Sequence, residues 1–128
     1  MRILLDTHTF LWFVNGDPRL SANARRLIED DTSQLLFSAA SAWEIVVKAT
    51  KHPTWLTEPA HRFIPKNLRQ INARVLPVRL RHTLRASRLP RLHPDPFDRL
   101  LVAQAQVEHL PLLTDDRQIR EYDVKAVW

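Results

Sequence analysis

Residues 2 to 7 read Arg2-Ile3-Leu4-Leu5-Asp6-Thr7, a short apolar run that stops at an acid where a helix is expected to begin. Acids also lie near the junction of an apolar segment and a helix at Glu44, Asp98 and Asp116. Short apolar runs separated by helical segments predict a parallel sheet. Parallel strands end at one edge, where ligands bind. Four acids that are far apart in the chain are therefore expected to meet in one pocket.

Strand and helix patterns alternate along the whole chain, which predicts an α/β fold with helices on both faces of the sheet. The length of 128 residues predicts a single domain over 1–128. Within it, Pro65 is expected to break or kink a helix, and Trp43 is placed in the core. The predicted strands are 3–5, 35–38, 74–78, 112–114 and, as a fifth candidate, 125–128, and the predicted helices are 7–14, 22–30, 39–50, 58–72, 82–87, 96–108 and 117–122.

Composition favours a partner with negative charge and argues against disulfide-bonded and membrane-spanning proteins. The formal charge of +5 suits a polyanionic partner such as RNA. No cysteine is present, so disulfides and thiolate chemistry are excluded, which is compatible with the cytoplasm. The first apolar run is too short for a signal peptide, and no run of 18 apolar residues predicts a membrane span.

Each acid has a structural alternative when it is taken alone. Asp6 and Asp116 can cap the helices that follow them, Glu44 completes a Ser-x-x-Glu capping box with Ser41, and Asp98 suits the first turn of a helix. Capping explains the acids one by one and does not require them to converge. If they converge, two unit charges ~4 Å apart repel by about 4 kcal/mol at an effective dielectric of ~20. A divalent cation would relieve that repulsion, and an oxygen-rich site suits Mg²⁺ or Mn²⁺.

Four segments together resemble a known family of proteins. They are Leu4-Leu5-Asp6-Thr7-His8, Ser38-Ala39-Ala40-Ser41-Ala42-Trp43-Glu44-Ile45, Asp95-Pro96-Phe97-Asp98-Arg99-Leu100-Leu101-Val102-Ala103-Gln104-Ala105, and Leu112-Leu113-Thr114-Asp115-Asp116. In order and spacing they resemble PIN-domain proteins, and among these the VapC toxins of type II toxin–antitoxin systems. The resemblance implies a three-layer α/β/α sandwich with a parallel sheet of four or five strands.

The resemblance also implies an Mg²⁺- or Mn²⁺-dependent endoribonuclease, a homodimer and a small cognate antitoxin protein as partner. The family's acid quartet falls on Asp6, Glu44, Asp98 and Asp116. Three of these (Asp6, Asp98 and Asp116) are the expected direct ligands, and Glu44 ligates the metal or activates water. Asp116 is preferred to the adjacent Asp115 as a ligand. The family's hydroxyl near the site falls on Ser41 and on Thr114.

Basic residues are candidates for substrate binding. Segment 79–91 holds five arginines and leads to the Asp98 helix. Arg85 and Arg88 of this segment, and Arg99 beyond it, are predicted to hold RNA phosphates. A solvated helix face explains the same pattern. For His8, a partly buried polar role is favoured over contact with substrate, whereas Trp55 is the best aromatic candidate for contact with a partner or a base.

Two other functions are compatible with these residues. A phosphatase or phosphoacceptor domain also uses aspartates at strand ends with Mg²⁺, but its hydrolase form needs a second acid where His8 stands. A non-catalytic RNA-binding module would use the arginines to hold RNA and the acids only to cap helices.

Overall fold

The computed structural model describes residues 1–128 and contains one five-stranded, fully parallel sheet. The strands are β1 (Arg2–Leu5), β2 (Gln34–Ser38), β3 (Arg74–Leu76), β4 (Leu112–Leu113) and β5 (Ala126–Val127), and their order is β3-β2-β1-β4-β5. The helices are α1 (Thr7–Val14), α2 (Ala22–Glu29), α3 (Ala39–Lys51), α4 (Ala60–Gln70), α5 (Leu80–Ser87), α6 (Pro96–Glu108) and α7 (Arg117–Arg120). The predicted α/β fold and the fifth strand are confirmed.

Helices cover both faces of the sheet, which gives the three layers. Successive residues of β1 alternate between the faces, so Ile3 and Leu5 pack with α1 to α4 while Leu4 packs with α6 and α7. Water is excluded from both faces, because these β1 residues and the facing Phe10 and Val102 are fully buried. Burial on both sides explains why the strands read as continuous apolar runs. None of the helices has the length and apolar character needed to cross a membrane.

The strand order decides where functional groups can gather. Strand β1 lies in the middle, hydrogen-bonded to β2 on one side and to β4 on the other. The chain leaves β1 for β2 first and reaches β4 only much later, so the direction of winding switches between β1 and β4. Ligand sites in open α/β sheets lie at the carboxyl edge beside such a switch. Asp6 follows the last residue of β1 at this point.

Three local predictions are corrected by the structure. Strand β3 ends at Leu76 and not at Val78, because Pro77 has no N–H for the sheet. Helix α4 continues through Pro65 without a break; Pro65 is exposed, so water can reach the carbonyl that lacks a partner. Trp43 is not a core residue, since it is 60% exposed. The inward face of α3 carries Ala40, Ser41 and Ile45, and Trp43 points away from it.

A buried amide ties the sheet to the helices on one face. Gln104 on α6 is fully buried, accepts a hydrogen bond from the Ser38 hydroxyl and donates one to the Pro77 carbonyl at 3.2 Å. The same Ser38 oxygen accepts the Ala40 N–H and so caps α3. Gln104 therefore fixes the start of α3 relative to α6, and these two helices carry Glu44 and Asp98.

A Gln104→Leu variant is expected to lose about 2–3 kcal/mol of unfolding free energy, because the Ser38 hydroxyl and the Pro77 carbonyl are left buried without the amide. Urea denaturation followed by circular dichroism measures the loss. Gln70→Leu, on the exposed face of α4, is the matched control and should change the unfolding free energy by less than about 0.5 kcal/mol. Equal stability of the two variants would contradict a structural role for the amide.

Candidate functional site

The structure brings the four predicted acids to the carboxyl edge of the sheet. Asp6 follows β1, Asp116 follows β4, Glu44 projects from the second turn of α3, and Asp98 lies in the first turn of α6. Their proximity is visible in their charges, because Asp6, Glu44 and Asp116 all raise the pKa of Asp98. The separate capping interpretations are compatible with this convergence, since Asp6 and Asp116 also cap α1 and α7.

Asp6 and Asp116 are held by a shared hydroxyl. The Thr114 hydroxyl donates to Asp6 Oδ2 at 2.6 Å, and its oxygen accepts the Asp116 N–H at 3.0 Å. Burial raises the pKa of Asp6, a nearby Asp116 raises it further, and the Thr114 hydrogen bond opposes both effects. Thr114 thus fixes the spacing of the two aspartates, so the structure places it as a positioning group behind the carboxylates.

Glu44 presents an atom without a partner. Its Oε1 is the one buried side-chain nitrogen or oxygen that makes no hydrogen bond. The Ser41 hydroxyl, one turn earlier on α3, accepts a hydrogen bond from the Thr7 hydroxyl at 2.8 Å. Burial raises the pKa of Glu44, the nearby Thr7 hydroxyl opposes this shift, and the charges of Asp95 and Asp6 add to it. A buried oxygen with no donor is unfavourable unless a ligand, water or ion completes it.

The pKa of Asp98 is strongly raised by its surroundings. Burial, followed by the charges of Asp6, Asp95, Glu44 and Asp116, raises the pKa of Asp98 to about 8. Only 6% of the residue is exposed. Without a cation, the cluster therefore holds a proton near neutral pH instead of four full charges.

His93 completes the cluster, although the sequence only places it between the predicted helices 82–87 and 96–108. Its Nε2 lies 3.0 Å from Asp98 Oδ2 and 3.2 Å from Asp116 Oδ2, with the hydrogen bond directed at Asp116. Its Nδ1 accepts the Asp95 N–H at 3.1 Å, so Nε2 carries the proton. The only signal in the sequence is the spacing of His93, Asp95 and Asp98, which pairs a histidine with the cap of an acid-bearing helix.

Arg99, a predicted substrate contact, is tied to the loop that precedes α6. Its guanidinium donates to the carbonyls of Ala86, Leu89 and Pro90 and to the Tyr122 hydroxyl, at 2.9 to 3.3 Å. The Tyr122 oxygen also accepts the N–H of His93 at 2.9 Å. These contacts use four of the five N–H donors of Arg99 and fix the loop that carries His93.

The other predicted basic contacts are not gathered at the acids. Arg85 donates to Gln106 at 2.7 Å, eight residues beyond Asp98 and about 12 Å further along α6. Arg88, the C-cap of α5, is exposed. Asp115 is also exposed, and Arg120 lies 3.7 Å from its Oδ1, whereas Asp116 faces His93. Trp55 is partly buried against the core, with the Lys48 ammonium 4.5 Å from its ring centre.

The carboxylates fit a hard divalent ion. Ligand atoms of Asp98, Asp116 and the intervening His93 lie within 4.8 Å of one another, and the charge of Asp6 also acts on Asp98. Carboxylate oxygens are the ligands that Mg²⁺ and Mn²⁺ prefer. The unpartnered Glu44 oxygen and the raised pKa of Asp98 both indicate a site that lacks positive charge. A bound cation would give the Glu44 oxygen a partner and would lower the pKa of Asp98.

Comparison with known proteins agrees with this architecture. The model of the PIN domain family matches residues 3–125, which include all four acids and His93. The chain belongs to the PIN-domain family. Among curated proteins, this PIN domain is 35% identical over 70 residues to Ribonuclease VapC16 of Mycobacterium tuberculosis. That match covers 52% of this chain and 50% of the relative, so the chain spans about half the length of the relative it matches.

Three solved structures share the fold of this PIN domain at low sequence identity. VapBC2 from Rickettsia felis, bound to a DNA fragment from its promoter, has a TM-score of 0.73 at 14% identity and covers 99% of this chain and 98% of its own. A toxin–antitoxin complex from Klebsiella pneumoniae has a TM-score of 0.69 at 18% identity, with coverage of 98% and 96%. FitAcB from Neisseria gonorrhoeae has a TM-score of 0.63 at 17% identity, with coverage of 100% and 97%.

Proposed function

We propose that this PIN domain is an Mg²⁺- or Mn²⁺-dependent endoribonuclease that acts as the toxin of a toxin–antitoxin pair. The observation that carries the proposal is the buried acid cluster at the switch point of the sheet, with one unpartnered oxygen on Glu44. The similarity to a curated VapC ribonuclease supports RNA as the substrate. The positive net charge of the chain suits a polyanion.

Each acid takes a distinct role in this proposal. Asp6, Asp98 and Asp116 would hold the metal, because they come from three different elements and the charges of Asp6 and Asp116 both act on Asp98. Glu44 keeps Oε1 free, so it orients the attacking water and accepts its proton. When bound, the divalent ion would polarise the scissile phosphate and assist the attack of water on phosphorus, which breaks the bond to the leaving 3′ oxygen. Thr114 keeps the carboxylates of Asp6 and Asp116 at a fixed spacing through its hydrogen bonds to both residues.

The partners of this chain are proposed from its relatives. The structures of similar fold include a VapBC assembly and a toxin–antitoxin complex, which supports a small antitoxin protein as the cognate partner. We further propose that two copies of the chain form a homodimer. Cosedimentation of the purified chain, with and without the product of an adjacent small gene, measures both associations.

A metal titration with a fluorescent single-stranded RNA tests the function. We expect cleavage with Mn²⁺ or Mg²⁺ and none with EDTA. Retention of RNA without cleavage would favour the non-catalytic RNA-binding module instead. Release of phosphate from a small phosphomonoester, without cleavage of RNA, would favour the phosphatase class.

A His93→Ala variant is expected to weaken Mn²⁺ binding about 10–100-fold, because groups that orient metal ligands have effects of that size. The change removes the N–H that holds Asp116 beside Asp98. Isothermal titration calorimetry measures the affinity, and a parallel cleavage assay should show a comparable loss. His61→Ala, on the exposed face of α4, is the control. Unchanged Mn²⁺ affinity in His93→Ala would show that the histidine does not position the ligands.

A further inference from the structure

A cavity of about 240 Å³ opens directly beside the acid cluster. Asp6 and Asp116 form one side of it, so whatever occupies the cavity is next to the site where phosphate would be cut. The remaining lining residues are His8, Thr9, Trp12, Arg19 and Asp115. None of these five is needed to hold the metal. They include two aromatic rings, a guanidinium and a carboxylate, which are groups that can contact a nucleotide.

Flat groups line this cavity side by side. The ring centres of His8 and Trp12 are 6.0 Å apart and tilted by 41°. The Arg19 guanidinium lies over the Trp12 ring at 4.8 Å from its centre, and the His8 side chain is exposed. Single-stranded RNA is recognised by stacking of its bases on aromatic rings, histidine included, and on guanidinium planes. The wall therefore suits a nucleobase.

Arg19 is paired with a neighbouring acid. Its Nε and Nη2 donate to Asp17 at 2.7 to 3.2 Å. Those contacts hold the guanidinium over Trp12 and leave Nη1 as a donor for a phosphate oxygen. An arginine that is already oriented loses less freedom when it binds a phosphate.

Asp115 supplies the polar edge of the cavity. Its side chain is half exposed, and Arg120, 3.7 Å away, is its nearest cation. A carboxylate accepts hydrogen bonds and donates none, so it selects a base with N–H groups on the facing edge. Guanine offers two adjacent N–H groups, which match the two oxygens of one carboxylate.

We propose that this cavity is a subsite for a guanine nucleotide next to the scissile phosphate, with His8 and Arg19 stacking the base or holding its phosphate and Asp115 reading its N–H edge. The proposal rests on the ribonuclease function proposed above and adds a source of sequence preference to it. It also gives His8 a role at the substrate, where the sequence favoured a partly buried structural role.

The first test maps cleavage of a random-sequence heptaribonucleotide pool with Mn²⁺. The wild type is expected to favour guanine at one position flanking the cut. Asp115→Asn should reduce that preference about ten-fold. His8→Ala and Arg19→Ala should each raise KM about ten-fold with a smaller change in kcat. Asp31→Asn, His61→Ala and Arg62→Ala are matched controls at exposed positions of the fold and should behave as the wild type.

The second test reads the subsite without cleavage. Guanosine 5′-monophosphate is titrated against the full chain in Mg²⁺ while the imidazole resonance of His8, assigned by its loss in His8→Ala, is followed by NMR. The nucleotide should shift this resonance, Asp115→Asn should weaken the response, and ribose 5-phosphate should leave it in place.

The outcomes separate the subsite from the ribonuclease function. Cleavage by the wild type without any flanking preference, together with a silent His8 resonance, would overturn the subsite and leave the nuclease standing. A His8 response to the nucleotide without any RNA cleavage would support the subsite and overturn the nuclease. A response of equal size to ribose 5-phosphate would replace base recognition by phosphate binding and so overturn the guanine proposal.

Discussion

An Asp98→Asn variant is expected to lose metal-dependent RNA cleavage by about three orders of magnitude, since metal polarisation contributes several kcal/mol and each 1.36 kcal/mol is ten-fold in rate. The substitution keeps the size of the side chain and removes one negative charge from the cluster. In metal-free protein the same change should stabilise the fold near pH 8, because a buried carboxylate whose pKa is raised to about 8 becomes a neutral amide. Cleavage rates and thermal melting in EDTA measure the two effects.

Asp98→Asn should therefore lower the rate of RNA cleavage and raise the stability of the metal-free fold. A variant that is inactive because it is unfolded would melt at a lower temperature, whereas this variant should melt higher than the wild type in EDTA. Asp31→Asn, an exposed aspartate before β2, should change neither quantity. Full activity in a folded Asp98→Asn protein would rule out Asp98 as a metal ligand. The equivalent Asp6→Asn variant should lose cleavage in the same way.

Raising the pH should lower the stability of the metal-free fold, whereas bound Mn²⁺ should raise its stability. The pKa values of Asp6, Glu44 and Asp98 are all raised by burial, so these three groups hold more protons in the folded chain than in the unfolded chain above about pH 4. Stability in EDTA should therefore fall as the pH rises from about 4 to about 8, where Asp98 loses its proton. Mn²⁺ needs ionised ligands, so its affinity should rise over the same interval.

Saturating Mn²⁺ at pH 8 is expected to raise Tm by about 10 °C, because a ligand at 100 times its Kd adds about 2.7 kcal/mol and each kcal/mol shifts Tm by a few degrees in a domain of this size. Thermal melts at several pH values, with Mn²⁺ and with EDTA, measure both trends. Asp98→Asn should flatten the pH dependence in EDTA and reduce the Mn²⁺ shift. A metal-free Tm that rises between pH 5 and 8 would contradict the electrostatic account of the cluster.

Some features of the site follow from local sequence. Apolar runs of three or four residues that end in an acid predict buried parallel strands, and the winding of such sheets brings strand ends to one edge. The local pattern is therefore enough to place Asp6 and Asp116 at the same edge. Asp95 and Pro96 likewise mark the start of α6, which puts Asp98 in its first turn. The catalytic roles of these acids remain predictions.

Other features depend on how helices are rotated and how loops are tied down. The sequence of α3 is apolar on most sides and so favours Trp43 in the core, and only the packing of α3 against β2, α4 and α6 decides which face is inward. An arginine such as Arg99 commonly binds RNA, which is the reason for that prediction. Its actual partners are carbonyls of the preceding loop, which no sequence pattern identifies.

By itself, the sequence determined the class of fold, the order of the strands along the chain and the sheet edge at which the acids meet, because short-range periodicity and the handed winding of parallel sheets are local rules. The tertiary structure alone decided that His93 enters the acid cluster, that Glu44 keeps one buried oxygen without a partner, and that His8, Trp12 and Arg19 border a cavity beside it. These arrangements depend on the path of the loops and the packing of the helices, which local sequence does not specify; His93, for example, meets Asp116 across 23 residues of chain.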